Sequence, residues 1–296
     1  MSRRAFTTVE LLVALVIGGV IAASIGTVLR RQQRFFTNAA GLVEGRVALR
    51  DATGILPAEM RALATGDIIA FSDSSLDMRA TIGAAVACDT VAGGSAIDLA
   101  PVRPSPGVPL AAFITTPQAL DVALVFDGGA ASSPGDDAWA PLVVDAAVPA
   151  TTTCSASPLL DAVSDASAPR LRLRFTAGTR APATVRPGAF VHIVRRVRYR
   201  LYRSGSDWYL GYSEWDGTGF TVVQPVSGPF APYSRRAGSS GLMLRYLDDA
   251  DAAVTLASDA TRIARIEIVA RTALNSGLSA LQLVDSQNVA VRLRNR

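Results

Sequence analysis

The stretch "RRAFTTVELLVALVIGGVIAASIGTVLRR", Arg3 to Arg31, decides the architecture of this chain. From Leu11 to Leu29 it carries nineteen residues without a charge. As a helix this run spans about 28 Å at about 1.5 Å per residue, which is close to the thickness of a bilayer hydrocarbon core. The stretch therefore predicts one membrane-spanning helix over residues 6–29.

The flanking charges do not orient this helix. Two arginines precede the apolar run and three follow it within a few residues, so the positive-inside comparison is nearly even. A conventional secretory signal, cut near Ala22-Ala23-Ser24, is one alternative. Against that alternative, the leader is only five residues long and the apolar run continues past Ser24 without a polar break.

The order of residues around Glu10 resembles the class III signal of type IV prepilins and type II secretion pseudopilins. That signal has a short basic leader, a small residue, then Phe, Thr, a Val-Glu pair and an apolar helix. The resemblance implies that residues 1–5 are a leader that prepilin peptidase removes after Ala5, and that Phe6 becomes the N-methylated terminus. Ala5 stands where Gly is usual, and Thr8 replaces a common Leu.

The resemblance also implies that Glu10 forms a salt bridge with the Phe6 amine of a neighbouring subunit. A charge that reaches the bilayer centre costs about 2.5–3.5 kcal/mol on insertion scales, so an unneeded carboxylate is rarely kept there. Cleavage on the cytoplasmic side implies a single-pass inner-membrane protein with its body in the periplasm. The alternative for Glu10 is an interfacial carboxylate that merely marks the start of a signal anchor.

Residues 30–65 predict an amphipathic continuation of the helix. Its body-facing side is predicted from apolar residues that recur every seven positions and from their neighbours: Phe35, Leu42, Leu49, Leu56 and Leu63, with Ala39, Val43, Ala52 and Met60. The opposite face carries charges: Arg46, Arg50, Asp51, Glu59 and Arg61. Pro57 is expected to kink or break the helix near its end, and Thr65-Gly66-Asp67 is expected to stop it.

Residues 66–296 predict a β-rich body. Short branched or alternating segments, separated by Gly, Pro, Ser and Asp, predict these strands: 68–71, 76–82, 121–126, 170–175, 195–203, 208–215, 242–247, 262–271 and 288–294. Strands without intervening helices favour an antiparallel sheet packed on the long helix, which is an α+β fold. Residues 84–169, rich in Ala, Gly, Pro, Ser and Thr, predict a loop-rich insertion.

The strand order of the second half is similar to W-like minor pilins and J-like minor pseudopilins. The segments that carry this resemblance are "YRLYR", "WYL", "GLMLRYLDD", "IARIEIVAR" and "VRLRNR". It implies a structural subunit, present in few copies near a filament tip or in an initiation complex. Its partners would be prepilin peptidase, other pilins or pseudopilins, and the inner-membrane assembly platform.

Cys88 and Cys154 are the two cysteines, and in an oxidising periplasm they predict a disulfide. It would close a loop of about 65 residues, worth about 4 kcal/mol in the chain-entropy treatment. Two free thiols are the alternative. Two Cys and one His do not make a zinc site, and no metal or other cofactor is expected.

The remaining candidate sites each have a structural alternative. The acidic stretches at Asp248–Asp251 and Asp136–Asp137 are read as turns rather than calcium sites. The stripe Arg195–Arg203, predicted to point Val197 inward and Arg198 outward, is read as a solvated face rather than a DNA site, in keeping with the mild net charge of +4. His192 stands in no catalytic pattern, so an enzyme is not expected. The competing functions are a signal-anchored periplasmic binding protein or enzyme and a DNA-binding pilin.

Overall fold

A computed structural model of the chain describes residues 8–91, 93–102, 109–130, 134–150, 154, 168–236, 239–273 and 284–293. A single long helix, α1 (Thr8–Arg61, 54 residues), leads into a body of antiparallel strands. The expected α+β class, with a long N-terminal helix packed on an antiparallel β body, is confirmed.

The helix packs on the body only along its last third. Its buried residues begin at Gly45 and recur on one face of the helix: Gly45, Ala48, Leu49, Ala52, Leu56, Pro57 and Met60. The predicted burial of Leu49, Leu56 and Leu63 is confirmed. The prediction is wrong for Phe35 and Val43, which are 70% and 63% exposed, because the body does not reach this part of the helix and Val43 lies on the far face.

Pro57 does not break the helix, which continues to Arg61. Proline there removes one backbone donor close to the helix end, and its ring is buried against the body. The helix ends at Arg61, before the predicted stop at Thr65-Gly66-Asp67, and these three residues form a separate short 3-10 turn. The backbone N–H of Ala64 donates to Asp67 Oδ2 at 2.9 Å, so this carboxylate fixes the exit of the chain into the first strand.

Thirteen strands follow in the described part of the chain. They are β1 (Ile68–Phe71), β2 (Ser75–Val91), β3 (Ala96–Leu99), β4 (Ala111–Phe113), β5 (Val122–Asp127), β6 (Ala138–Pro149), β7 (Leu171–Phe175), β8 (Phe190–Ser204), β9 (Asp207–Glu214), β10 (Gln224–Phe230), β11 (Leu242–Leu247), β12 (Arg265–Ala273) and β13 (Val284–Arg292). Each segment predicted as a strand overlaps one of these, so the placement of strands from alternating and branched residues is confirmed.

One hydrophobic core forms around the helix. One wall of this core consists of the first halves of β1 and β2, the second half of β8, and β9 and β10. The three-stranded sheet β11–β12–β13 makes the other wall. Leu56 and Met60 of the helix are fully buried between these walls. We call this the helix core.

A second core lies inside a closed ring of six antiparallel strands. The pairings run β2–β3–β7–β6–β5–β8, and β8 pairs again with β2, so the ring closes. Its interior is filled by small and branched side chains, among them Ile97, Val125 and Ile193, each 0% exposed. We call this unit the barrel and its interior the barrel core.

The barrel corrects the expectation of a loop-rich insertion at 84–169. That segment supplies the end of β2 and all of β3 to β6, and most of the barrel core. Its Ala-rich composition, which suggested loops, suits the interior of a narrow barrel where large side chains do not fit. Strand pairing of this kind is non-local, so the composition alone did not reveal it.

Candidate assembly interface

Glu10 lies in the first turn of α1, which begins at Thr8. Ala5 and Phe6, where cleavage and N-methylation are predicted, lie outside the described residues. The structure therefore places the predicted carboxylate at the start of the apolar helix, while the cleavage site and the salt bridge stay predictions.

The first part of α1 projects away from the body. Among the described residues, α1 is the one helix long and apolar enough to cross a membrane, and none of its most apolar window is buried. Leu12, Val16 and Ile21, for example, are 59%, 64% and 53% exposed. A surface this apolar is stable only when lipid or other apolar helices cover it.

Small residues on this exposed half form a row that the sequence analysis missed. Gly18, Ala22 and Gly26 are spaced four apart and so lie on one face of the helix. A Cβ added at Gly18 or Gly26 would meet no atom within 4 Å, so the chain's own fold does not require these glycines. Rows of this kind let two helices approach closely in a membrane, and the four-residue spacing is the signal that identifies them.

A second apolar row lies further along the helix, on the side facing away from the body. Phe36, Ala40, Val43 and Val47 follow one another at intervals of three and four residues, and all four are exposed. Phe36 is 68% exposed and Val47 is 53% exposed. We call these four residues the outer stripe.

Charges of opposite sign flank the outer stripe. With about 100° of rotation per residue, Glu44 and Asp51 lie on one side of it, and Arg46 and Arg50 lie on the other. When two helices pack in parallel about such a stripe, the acidic side of one meets the basic side of the other. The seven-residue pattern in the sequence concealed this face, because it assigned Val43 to the body.

Three polar contacts fix the helix on the body. Ser227 Oγ in β10 donates a hydrogen bond to the carbonyl oxygen of Ala48 at 2.8 Å, and this contact is buried. Thr53 Oγ1 lies 3.0 Å from Gln287 Oε1 of β13, and the side chain of Arg46 contacts Asp285 at 3.5 Å. These contacts set the rotation of the helix, and therefore the direction in which the outer stripe points.

Comparisons of the chain with protein-family models, curated proteins and solved structures give no match. Function therefore has to be argued from the helix and from the other candidate sites. The structure indicates a long helix with an uncovered apolar half, a body fixed to its other end, and an outer stripe that no part of the described body covers.

The predicted disulfide between Cys88 and Cys154 is present. The two residues are buried, their Cα atoms are 5.3 Å apart, and they are separated by 66 positions. Cys88 lies on β2 and Cys154 lies between β6 and β7, so the bond ties this connection to the barrel wall. The guanidinium of Arg170 donates to Cys154 Sγ at 3.3 Å.

The acidic residues at 248–251 form a turn between β11 and β12. Asp248 accepts hydrogen bonds from the backbone N–H groups of Ala252 and Ala250 at 2.9 and 3.0 Å, and these bonds lower its pKa. It also pairs with Arg262 at 2.8 Å, and Asp251 pairs with Arg265 at 3.1 Å. In the described residues no group of three or more metal-binding side chains occurs, and these carboxylates serve the turn.

Two outward arginines of the stripe on β8, Arg196 and Arg198, are paired within the protein. Asp77 pairs with Arg196 and Arg198 at 2.8 and 3.3 Å, and their guanidiniums lie over the rings of Trp215 and Phe220 at 4.1 and 3.7 Å. Inward Val197 and outward Arg198 agree with the predicted alternation. Guanidiniums engaged in this way favour a structural role over phosphate binding.

Arg195 lies on the inward side of β8, as the alternation through Val197 implies, and it is buried, whereas the sequence analysis read the whole stripe as a solvated face. It forms two hydrogen bonds with Asp121, at 2.8 and 2.9 Å, and contacts Glu214 at 3.2 Å. The hydrogen bonds to Asp121 raise the pKa of Arg195 further above its usual value. The sequence signal for this site is a charged residue at an inward position of an otherwise apolar alternation.

His192 points outward from β8, and its Nε2 lies 2.9 Å from Thr81 Oγ1. Burial lowers the pKa of this histidine, against a smaller opposite effect of Asp67. The ring is therefore neutral near pH 7, and its position reflects packing on the barrel wall. Among the described residues, no contact of His192 forms a nucleophile and base oriented by a carboxylate.

Proposed function

We propose that this chain is a minor pilin or minor pseudopilin, a structural subunit that assembles through α1 into a type IV pilus or a type II secretion pseudopilus. The observation that carries the proposal is that α1 has two parts with different surroundings. Its first part is apolar and uncovered, its last third is fixed to a β-rich body, and Glu10 stands at the start of the apolar part.

Assembly begins with removal of residues 1–5 in the inner membrane. The peptidase cuts after Ala5, and the new amine of Phe6 is methylated. In the filament, Glu10 of one subunit pairs with the Phe6 amine of its neighbour, which offsets the cost of holding a carboxylate in an apolar environment. The amine half of this contact does not exist until residues 1–5 are removed.

Two features of the helix support parallel packing of subunits. In the membrane-spanning part, Gly18, Ala22 and Gly26 allow close approach of a neighbouring helix. Outside the membrane, the outer stripe and its opposite-charge flanks favour a neighbour that points in the same direction. Parallel packing is what a filament of membrane-drawn subunits requires.

The position of the barrel supports a place near the filament tip. Ile68 directly follows the helical segment and pairs with Met78, and β2 then continues past this point as far as Val91. The barrel therefore lies beyond the C-terminal end of α1, on the side away from the membrane. Such bulk is easier to place at a tip or in an initiation complex than throughout a filament.

The decisive experiment is mass analysis of the N-terminus of the protein isolated from membranes. We expect a chain that begins with methylated Phe6. An intact Met1, or a terminus near Ser24, would remove the proposal.

The role of Glu10 is tested by the substitution Glu10→Ala. We expect normal cleavage but loss of incorporation into filaments, because the neighbour's amine loses its partner. Asp207→Ala, which removes an exposed carboxylate of the body, is the matched control and should assemble normally. Normal incorporation of the Glu10 variant would count against the pairing.

A further inference from the structure

Three arginines follow the apolar run of α1 directly. The run ends at Leu29, and Arg30, Arg31 and Arg34 come within the next five residues, all of them exposed. At about 1.5 Å per residue they occupy about 7 Å of the helix axis, and the headgroup layer on each side of a bilayer is about 5–7 Å thick. With the apolar run in the bilayer, the three guanidiniums therefore lie at the depth of the headgroups. We call these three residues the arginine cluster.

The arginine cluster holds the surplus positive charge of the chain. Of the 29 basic residues, all of them arginine, the two of the leader and the three of the cluster precede residue 35, and of the 25 acidic residues only Glu10 does. Residues 35–296 therefore contain 24 of each and have a formal net charge of zero. Once the leader is removed, the excess of positive charge lies at one level of the helix.

The helix itself supplies no counter-charge at this level. No acidic residue occurs between Glu10 and Glu44. Glu44 lies about 15 Å from Arg34 along the axis, at about 1.5 Å per residue, and the described body first covers α1 at Gly45. Arg196 in the body, by contrast, has Asp77 at 2.8 Å. The cluster is therefore a concentration of cations that α1 leaves available to an anion from outside the chain.

The three arginines project from one side of the helix. With about 100° of rotation per residue, Arg31 lies about 100° from Arg30, and Arg34 lies about 40° from it, between the two. Ala52 follows Arg34 by five full turns, and it is buried against the body. The cluster therefore points to the side of α1 on which the body packs, and the outer stripe points away from it. An anion on the cluster and a neighbouring helix on the outer stripe do not compete for space.

We propose that the arginine cluster is a binding site for the headgroups of anionic phospholipids. The inference rests on the membrane span that the proposed function includes. A lipid phosphodiester supplies the missing negative charge, and the planar guanidinium binds two phosphate oxygens at once. A free phosphate has the same chemistry. The lipid is the better source because the headgroup layer already holds phosphates at the depth of the three guanidiniums.

Native mass spectrometry of the full-length chain in detergent micelles tests the proposal. The micelles contain equal amounts of phosphatidylglycerol, which is anionic, and phosphatidylcholine, which is zwitterionic. We expect the chain to retain at least tenfold more phosphatidylglycerol, because each cation near an anionic surface strengthens binding about fivefold. Higher salt should reduce this preference. Equal retention of the two lipids would overturn the proposal.

Substitution of the cluster tests whether these three residues cause the preference. Arg30→Gln, Arg31→Gln and Arg34→Gln together should bring the ratio of the two retained lipids close to one. Because all three side chains are exposed and lie ahead of the buried part of α1, the variant should fold normally. A preference that survives these substitutions would overturn the proposal.

The matched control removes the same charge from the body. It replaces three exposed arginines, Arg200, Arg235 and Arg236, with Gln. The control should retain the preference of the unchanged chain, because these residues lie far from the end of the apolar run. A ratio that falls equally in both variants would show that net charge, and not the cluster, attracts the lipid, and would overturn the proposal.

Inorganic phosphate separates the two sources of phosphate. Added at the concentration of the lipid, it should not displace phosphatidylglycerol, and displacement would overturn the assignment to headgroups. None of these outcomes depends on the terminus of the chain. A chain with Met1 intact would remove the proposed function and leave the lipid preference to be measured, and a methylated Phe6 without a preference would remove only the lipid site.

Discussion

The helix core and the barrel core are built from the same two long strands but are closed in different ways. β2 and β8 run through both. In the helix core, α1 and the sheet β11–β12–β13 cover one face of these strands, so burial depends on the helix. In the barrel core, four further strands curve round and close on themselves, so burial needs no helix. The barrel is therefore the self-contained unit of the body.

Arg195 marks the boundary between the two cores. It follows Ile193 of the barrel core and precedes Val197 of the helix core on the same side of β8. At this point between the two cores, Asp121 and Glu214 accept the hydrogen bonds of its guanidinium. A charged residue at this position separates two apolar interiors that would otherwise merge along one strand face.

Loss of the disulfide should lower stability more than any other change considered, and the barrel should be the part that is destabilised. The double substitution Cys88→Ala and Cys154→Ala releases a loop of 66 positions. We expect the free energy of unfolding to drop by about 4 kcal/mol, because the unfolded chain regains loop entropy. Hydrogen exchange should show faster exchange in β3 and β7 while β12 and β13 stay protected. Equal loss of protection in both cores would contradict their independence.

Leu56→Ala should instead weaken the helix core. Leu56 is 0% exposed, and its truncation leaves a cavity that costs about 3 kcal/mol. Urea unfolding should show this loss, and exchange should speed up in β12 and β13. Val47→Ala on the same helix is the control. Because Val47 is 53% exposed, its truncation should change stability by less than about 0.5 kcal/mol.

Ser227→Ala should have a smaller effect at the junction of helix and body. It removes the buried hydrogen bond to the Ala48 carbonyl, a change worth about 1 kcal/mol. Ser206→Ala, which removes an exposed hydroxyl, should leave the unfolding midpoint unchanged. A midpoint shift that is the same for both variants would show that the Ser227 contact does not hold the helix.

The smallest expected effect is a pH dependence at the barrel wall. Burial lowers the pKa of His192 below 6.5, so the folded chain binds a proton less readily than the unfolded chain. Stability from this residue is complete above pH 6.5 and declines as the pH falls below that value. His192→Gln should flatten the dependence of the urea midpoint between pH 8 and pH 5. An unchanged slope would assign the dependence to other groups.

Local patterns in the sequence predicted much of this structure. The apolar run indicated the helix, and the alternation in 195–203 indicated both a strand and the inward direction of Tyr199. Segment 84–169 failed because its strands are Ala-rich, and because β3 and β6 pair with β7, which lies outside the segment. The outer stripe was missed because Val43, a sequence neighbour of Leu42 in the seven-residue repeat, was assigned to the side that faces the body.

By itself, the sequence determined the long helix with Glu10 at its start, the positions of most strands, and the pair of cysteines that bond. Each of these follows from local spacing, hydrophobicity or the presence of just two cysteines. Only the tertiary structure decided that β8 closes against β2, that Arg195 is buried, and that Val43 and Phe190 face outward. The reason is that alternation in the sequence shows only that a strand has two different faces. The pairing of distant strands determines what covers each face.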